Sequence, residues 1–401
     1  VSSPSNHAAP PKVADSDVIV VGAGLIGMVT AWRAARRGLR VSVVAPQSRH
    51  AASVVAAGML TPATEAAYGE EALTRFGLVS RDRYPGFLAE LAADGATEPG
   101  YRTGGTLQVA FDTDDLARLA ELGDLRARLG IATRRLTGRE CRRLEPMLAP
   151  SVRGGFLAPD DHSVDPRRLL AALRAAARGR GVALLPVRAT AVELAGGAVR
   201  GVRLERSTSA PDAPPELRAP QVVLAAGAWT GGLAGVPDGV LPELRPVKGQ
   251  LLRLRTPPGE APPVSRTVRG LVRGAPVYLV PRDDGEVVLG ATQEEAGHDT
   301  RLTVGGVWEL LRDARELVPG VSELEIAETC VGLRPGSPDN EPLLGPTRVP
   351  GLHLAVGHFR HGVLFTPATG DAMAAALADG RLPDFARRFA ATRAVAAGAA
   401  T

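Results

Sequence analysis

The chain has 401 residues, enough to bury a substantial core in two or more domains, with ordinary hydrophobic and charged fractions of 45% and 22%. Its formal charge of +4 comes from 47 basic against 43 acidic side chains scattered along the chain, and lysine occurs only at Lys12 and Lys248. No basic run is interleaved with aromatics and no stretch of eighteen apolar residues appears, which argues against nucleic-acid binding and a transmembrane helix.

The opening 1-VSSPSNHAAPPKVADS-16 lacks the charged-then-apolar order of a secretory signal, and residues 1–15 read as a disordered tail. Two cysteines, Cys141 and Cys330, cannot build a disulfide framework, so a reduced, cytoplasmic setting is expected. The first folded unit reads as strand, turn, helix, strand. Residues 17-DVIVV-21 are an apolar β-branched run suited to a parallel strand buried on both faces. A turn with Gly22, Gly24 and Gly27 follows, then helical spacing over 25–38 that begins with Leu25 and Ile26. The strand 40-RVSVVA-45 comes next.

Gly22 permits the tight turn, Gly24 lets a diphosphate approach, and Gly27 lets strand and helix pack closely. About 20 residues on, an acid normally accepts hydrogen bonds from the adenosine ribose. Here Ala45 stands at that place, with Arg49 nearby. From these residues alone, a nicotinamide dinucleotide phosphate, with Arg49 on its 2′-phosphate, and a flavin dinucleotide lacking one contact both stay open. The small residues of 48–60 suit close approach of backbone to a ligand.

Further along, 105–111 reads as a strand and 113–130 as an amphipathic helix capped by Thr113. A helix within 161–181, a strand at 182–187, and a hairpin over 191–205 around Gly196 and Gly197 come next. The run 221–230 is an apolar strand ending near Gly227. Residues 250–255, 277–282 and 286–292 alternate as antiparallel strands, 305–319 is helical, and 353–377 reads as strand, glycine-bearing turn and helix. Nucleotide-type elements at both ends and in the middle imply interleaved domains. The expected partition assigns 16–75, 155–235 and 330–392 to a Rossmann-like domain and 76–154 and 236–329 to an antiparallel-sheet domain.

The segments 22-GAGLIG-27, 56-AAGML-60, 221-QVVLAAGAW-229, 332-GLRPGSPDNEPLLG-345 and 357-GHFRHGVLFTPATG-370 together resemble the glycine oxidases of thiamine biosynthesis, within the D-amino-acid oxidase family of FAD-dependent amine oxidases. The resemblance spans about residues 15–392 and is most specific in the two C-terminal motifs. It implies a Rossmann-like FAD-binding domain joined to an antiparallel-sheet substrate domain. It also implies oxidation of glycine or a small amine to its imine, with hydrogen peroxide formed from O2. The imine would serve a thiazole synthase or hydrolyse to glyoxylate and ammonia. Small D-amino acids and sarcosine are the rival substrates; an NADP-dependent dehydrogenase and a flavoprotein without turnover are the rival classes. A homo-oligomer is carried over from relatives.

Residue by residue, the resemblance places Arg334 and Arg360 on the substrate carboxylate and Tyr278 beside the substrate. Hydride transfer from a neutral amine needs no side-chain base, and His358 is expected to position neighbours. FAD would be held by Gly22, Gly24, Leu25, Ile26, Gly27 and the Ala45 region, with Ser53 on a phosphate and Val187 reading the adenine through its backbone. Ala57, Gly58 and Met59 would lie along the flavin ring. Gly227 and His358 would border it, and His361, Gly362, Val363 and Leu364 would turn backbone N–H groups to its C2 carbonyl region. His361 replaces the asparagine usual at its position. Sarcosine oxidases tether flavin through a cysteine near Cys330, but the GLRPG context favours a buried inert thiol and non-covalent FAD. The seven histidines show no metal-ligand spacing.

Overall fold

The computed structural model describes residues 16–208 and 210–393, so the expected tail at 1–15 lies outside the described residues. At its centre is the strand Val18–Val21, fully enclosed because its residues alternate between two apolar layers. Val18 and Val20 face a layer of helices, whereas Ile19 and Val21 face a three-stranded sheet built from Ala189–Ala195, Ala198–Leu204 and Glu216–Arg218. That two-sided burial explains the unbroken β-branched run.

The central sheet has six strands in the order Leu343–Pro346, Leu352–Val356, Gln221–Leu224, Val18–Val21, Val41–Val44, Ala183–Leu185. All pairings are parallel except the one between the first two strands. Helices Leu25–Arg36, Pro166–Gly179 and Thr366–Asp379 pack together over one face. A second, eight-stranded sheet runs Glu325–Gly336, Arg245–Arg255, Glu286–Gly290, Ala275–Pro281, Thr267–Val272, Thr106–Ala110, Gly154–Ala158, Arg134–Thr137. One of its faces buries Leu252, Leu254, Val268, Leu279 and Leu289 against helix Val304–Leu317. Its other face packs Val280, Val288 and Cys330 on Val55 and Ala57, and Ala110 and Leu271 on Leu119, and lines a cleft at Gly249, Arg269, Tyr278 and Arg334. No described helix is long and apolar enough to cross a membrane.

The expected class of fold is present, with corrections. The second sheet is not wholly antiparallel, because Thr267–Val272 pairs in parallel with Thr106–Ala110. Helix Glu71–Ala93 lies mostly in the segment assigned to the substrate side, yet Leu73, Phe76, Tyr84, Phe87 and Leu91 pack into the core beneath the six-stranded sheet. Conversely, Gly154–Ala158 and all of Glu325–Gly336 belong to the eight-stranded sheet, which shifts the boundaries drawn at 155 and 330. Helix Thr113–Arg128 is capped not by Thr113 but by Asp112, whose carboxylate accepts the Asp115 N–H at 2.9 Å.

Asp94 ties the helix layer together: it accepts from Trp32 Nε1 at 2.8 Å and Arg180 Nε at 3.0 Å. The Arg180 hydrogen bond, aided by Trp32, holds its carboxyl below the usual carboxylate range against the opposing effect of burial. A depressed folded pKa means the stabilisation is complete above the unfolded value of about 4 and is lost as pH falls through the folded value. Asp94→Asn should therefore lower the melting temperature at pH 7, with the gap from wild type shrinking at pH 3. A gap independent of pH would contradict this role.

Candidate active site

The glycine turn is shaped by contact. Gly22 has φ +121°, and a Cβ there would overlap the Ala225 carbonyl; one on Gly27 would overlap the Gly22 carbonyl. Strand, turn and helix therefore approach more closely than any side chain allows. Leu25 N–H donates to Ser53 Oγ at 2.9 Å, leaving the Ser53 hydroxyl proton to donate elsewhere.

From this turn a cleft of about 1720 Å³ runs between the two sheets to Tyr278, Arg334 and Arg360. That exceeds a typical small-ligand pocket of roughly 300–1,000 Å³ and can take a dinucleotide with a substrate beside it. Gly22, Gly24, Leu25, Ile26, Ala45, Ser53, Ala57, Gly58, Met59, Gly227, His358, Gly362 and Val363 all line it. Gly27 lies behind the turn as a packing residue. Val187 is in the core at 1% exposure, and its N–H is committed to Leu185 O at 2.9 Å. The expected backbone contact to adenine thus has no free N–H at Val187, and Pro186, Arg188 and Ala189 line the cleft beside it. Ala45 N–H is likewise taken by Leu185 O, at 3.1 Å.

His361 and Leu364 do not line the cleft. The His361 ring is buried on Phe365, with Nδ1 3.2 Å from Glu65 Oε2, and its N–H is bonded to His358 O at 3.0 Å. The turn closes by Phe365 N–H to His361 O at 2.8 Å, and the N–H groups of Gly362 and Val363 have no hydrogen-bond partner among the described residues. They are the free donors of a helical first turn, and they border the cleft.

The cleft-facing side of the eight-stranded sheet places the substrate-end residues. Register sets Arg334 opposite Val247, Tyr278 opposite Gly290, and Arg269 opposite Tyr278, on neighbouring strands. Glycines clear space for the large groups. A Cβ on Gly249 would lie 2.5 Å from the Arg334 guanidinium, and one on Gly290 would strike the Tyr278 phenol. Arg334 Nη1 donates only to backbone, Thr292 O at 3.1 Å and Lys248 O at 3.4 Å, and no described carboxylate pairs with it. Burial lowers its pKa, although Tyr278 and Glu65 oppose the shift, and a guanidinium stays charged regardless.

Arg360, by contrast, is paired with Glu70. Arg269 is paired with Glu65 at 2.7 Å. Burial would raise the Glu65 carboxyl, but Arg269, His361 and Arg360 hold it well below the usual range. His358 Nε2 and Thr369 Oγ1 share a hydrogen bond at 3.1 Å, and burial pulls the ring's pKa to about 3, so it is neutral.

A family described as FAD dependent oxidoreductase matches residues 17–376. The chain belongs to this family. It is 32% identical over 382 residues to the bifunctional protein ThiO/ThiG of Synechocystis sp., covering 94% of this chain and 54% of that protein. It thus spans about half the length of the first such relatives. It is 31% identical over 359 residues to glycine oxidase of Geobacillus kaustophilus, covering 88% and 90% of the two chains. The crystal structure of that organism's glycine oxidase superposes with a TM-score of 0.85 at 29% identity, covering 95% and 99%.

The oxidoreductase's residues fit FAD. The glycine turn and Ser53 suit a diphosphate, and the unpartnered N–H groups of Gly362 and Val363 suit an electron-rich carbonyl of the ring. The Ala57 carbonyl, a site expected along the ring, is gripped by the buried Arg282, which also bonds Val164 O at 3.1 Å and so stiffens that segment. Cys330 does not line the cleft. Its thiol packs among Val55, Ala57 and Leu251, and burial together with Glu328 raises its pKa to about 11. Acid precipitation of purified protein should therefore leave the flavin in the supernatant, for wild type and Cys330→Ser alike. Colour kept in the wild-type pellet alone would establish a tether.

Sequence reading missed Glu65, Glu70, Arg269, Gly249 and Gly290. No motif marks them; only strand register and long-range pairing bring them to the site.

Proposed function

We propose that this chain oxidises glycine, or an α-amino acid of similar size, to the corresponding imine and forms hydrogen peroxide from O2. The observation that carries the reading is Arg334: a cation in the cleft wall that no described carboxylate pairs with, its Nη1 held by backbone carbonyls and a glycine opening space beside it. A carboxylate accepting from this planar fork would be held in a fixed orientation.

Charge balance narrows the substrate. Arg269 and Arg360 are already neutralised by Glu65 and Glu70, so this end of the cleft has one positive charge to match. A monocarboxylate with an uncharged amine matches it; a dicarboxylate leaves a negative charge over. Burial raises the Tyr278 phenol above its usual value despite Arg334 and Arg269, so it stays protonated and can donate to the carboxylate. When bound, FAD would supply the two-electron acceptor for this oxidation, with O2 as the final oxidant.

At the substrate end neither His358 nor Glu65 is set up as a base: burial pulls the His358 pKa to about 3 and its ring is bonded to Thr369, and Glu65 is paired with Arg269. The substrate amine must lose its proton to solvent. Hence kcat/KM for glycine should rise with pH toward the amine's own pKa, without an inflection near neutrality. A panel of glycine, sarcosine, D-alanine and iminodiacetate, assayed by peroxide release, tests the reading. We expect activity with the monocarboxylates, glycine foremost. Preference for iminodiacetate would overturn the charge argument, and no peroxide with any of them would overturn the function. The joined ThiO/ThiG relatives favour hand-over of the imine to a thiazole synthase, with hydrolysis to glyoxylate and ammonia as the alternative fate. Assembly as a homo-oligomer is proposed from the resemblance alone.

A further inference from the structure

The adenosine end of the cleft has a charge pattern that the glycine turn does not explain. Glu65 is the one carboxylate among the described residues lining the cleft, and it sits at the substrate end. At the other end, Ala45 stands where an acid is usual, and Arg174 and Arg178 line both the cleft and a side recess of about 380 Å³.

These two arginines lie one turn apart on helix Pro166–Gly179, which packs beside helix Leu25–Arg36. Helical side chains lean toward the helix N-terminus, so a long one reaches back toward the glycine turn. Arg174 does so: its Nη2 donates to Ala23 O at 3.3 Å, in the middle of Gly22–Ala23–Gly24. That uses one of its five donors. Arg167 and Arg180, near the two ends of the same helix, pair with Glu328 and Asp94. No such ion pair forms at Arg174 or Arg178 among the described residues, and like charges four apart on a helix repel. Burial and Arg178 both lower the Arg174 pKa. A half-buried cation at Arg174 with an exposed like charge one turn away costs stability, and an anion at the glycine turn would repay it.

We infer that Arg174 and Arg178 are the counter-charge for the diphosphate of the bound dinucleotide, supplying affinity that Ala45 does not. The inference rests on the family's use of FAD and adds two residues outside the glycine motif. Its test is equilibrium binding to flavin-stripped protein by flavin fluorescence, with FAD and with riboflavin, which lacks phosphate, at two salt concentrations. Arg174→Met should raise the Kd for FAD about tenfold or more, the size of one charge-assisted hydrogen bond, and flatten its salt dependence. Riboflavin binding should be unchanged, and Arg174→Lys should recover part of the loss. Arg178→Met should act in the same direction, more weakly because that side chain is exposed. An unchanged Kd for FAD in Arg174→Met, or equal losses for FAD and riboflavin, would overturn the inference, the latter marking Arg174 as a brace for Ala23. Wild-type protein that binds no FAD would instead sink the cofactor reading itself.

Discussion

Arg334→Ala should reduce kcat/KM for glycine by about two to four powers of ten while flavin remains bound at wild-type stoichiometry. Removing one partner of a buried, hydrogen-bonded charge pair costs roughly 3–5 kcal/mol, and each 1.36 kcal/mol is a factor of ten in rate. The substrate carboxylate would lose its fork and find no substitute, because Arg269 and Arg360 are held by Glu65 and Glu70. Arg334→Lys keeps the charge but loses the bidentate geometry, so it should recover only part of the loss. Steady-state kinetics with the 450 nm flavin absorbance as occupancy control decides the matter. Unchanged kinetics in Arg334→Ala would remove this residue from the site.

Gly22→Ala should fail at an earlier step, giving protein that is unfolded or free of flavin. A side chain there combines a φ of +121° with overlap onto the Ala225 carbonyl, part of the strand-to-turn segment beside it. Strain and forced backbone movement together cost roughly 2–6 kcal/mol, a large share of a typical stability of about 5–15 kcal/mol. Gly38→Ala is the matched control: its φ is +87°, but a Cβ there meets nothing within 4 Å. The flavin-to-protein absorbance ratio should drop sharply for the first substitution and not for the second, whose melting temperature should fall only as far as a backbone strain of roughly 1–3 kcal/mol dictates. Equal effects would show that backbone conformation alone, rather than the close approach of two carbonyl-bearing segments, makes glycine necessary.

Local patterns exposed the nucleotide half of this molecule well, for a physical reason. Val18–Val21, its turn and helix Leu25–Arg36 are contiguous, and a strand buried on both faces must be apolar throughout. The hairpin at Gly196 and Gly197 was equally local. The substrate end was legible only in part. Arg334, Arg360 and Tyr278 sit in recognisable segments, but their electrostatic states depend on residues far away in sequence. Glu70 reaches Arg360 across 290 positions, and Glu65 reaches Arg269 across 204. The glycines that open space, Gly249 and Gly290, act through strand register, which no single segment encodes. Val187 and His361 show the opposite limit: motif position put them at the cofactor, but their N–H groups are spent on Leu185 and His358. At the capped helix, Asp112 displaced Thr113 by one residue, since either side chain can accept the free N–H groups.

Anaerobic titration of the purified yellow protein with glycine tests the central claim most directly. If Arg334 presents an amino acid's Cα to the flavin, the 450 nm band bleaches to the two-electron reduced level, and admitting O2 restores it with one equivalent of peroxide. A band that glycine leaves intact, in protein whose flavin dithionite reduces normally, would contradict the account.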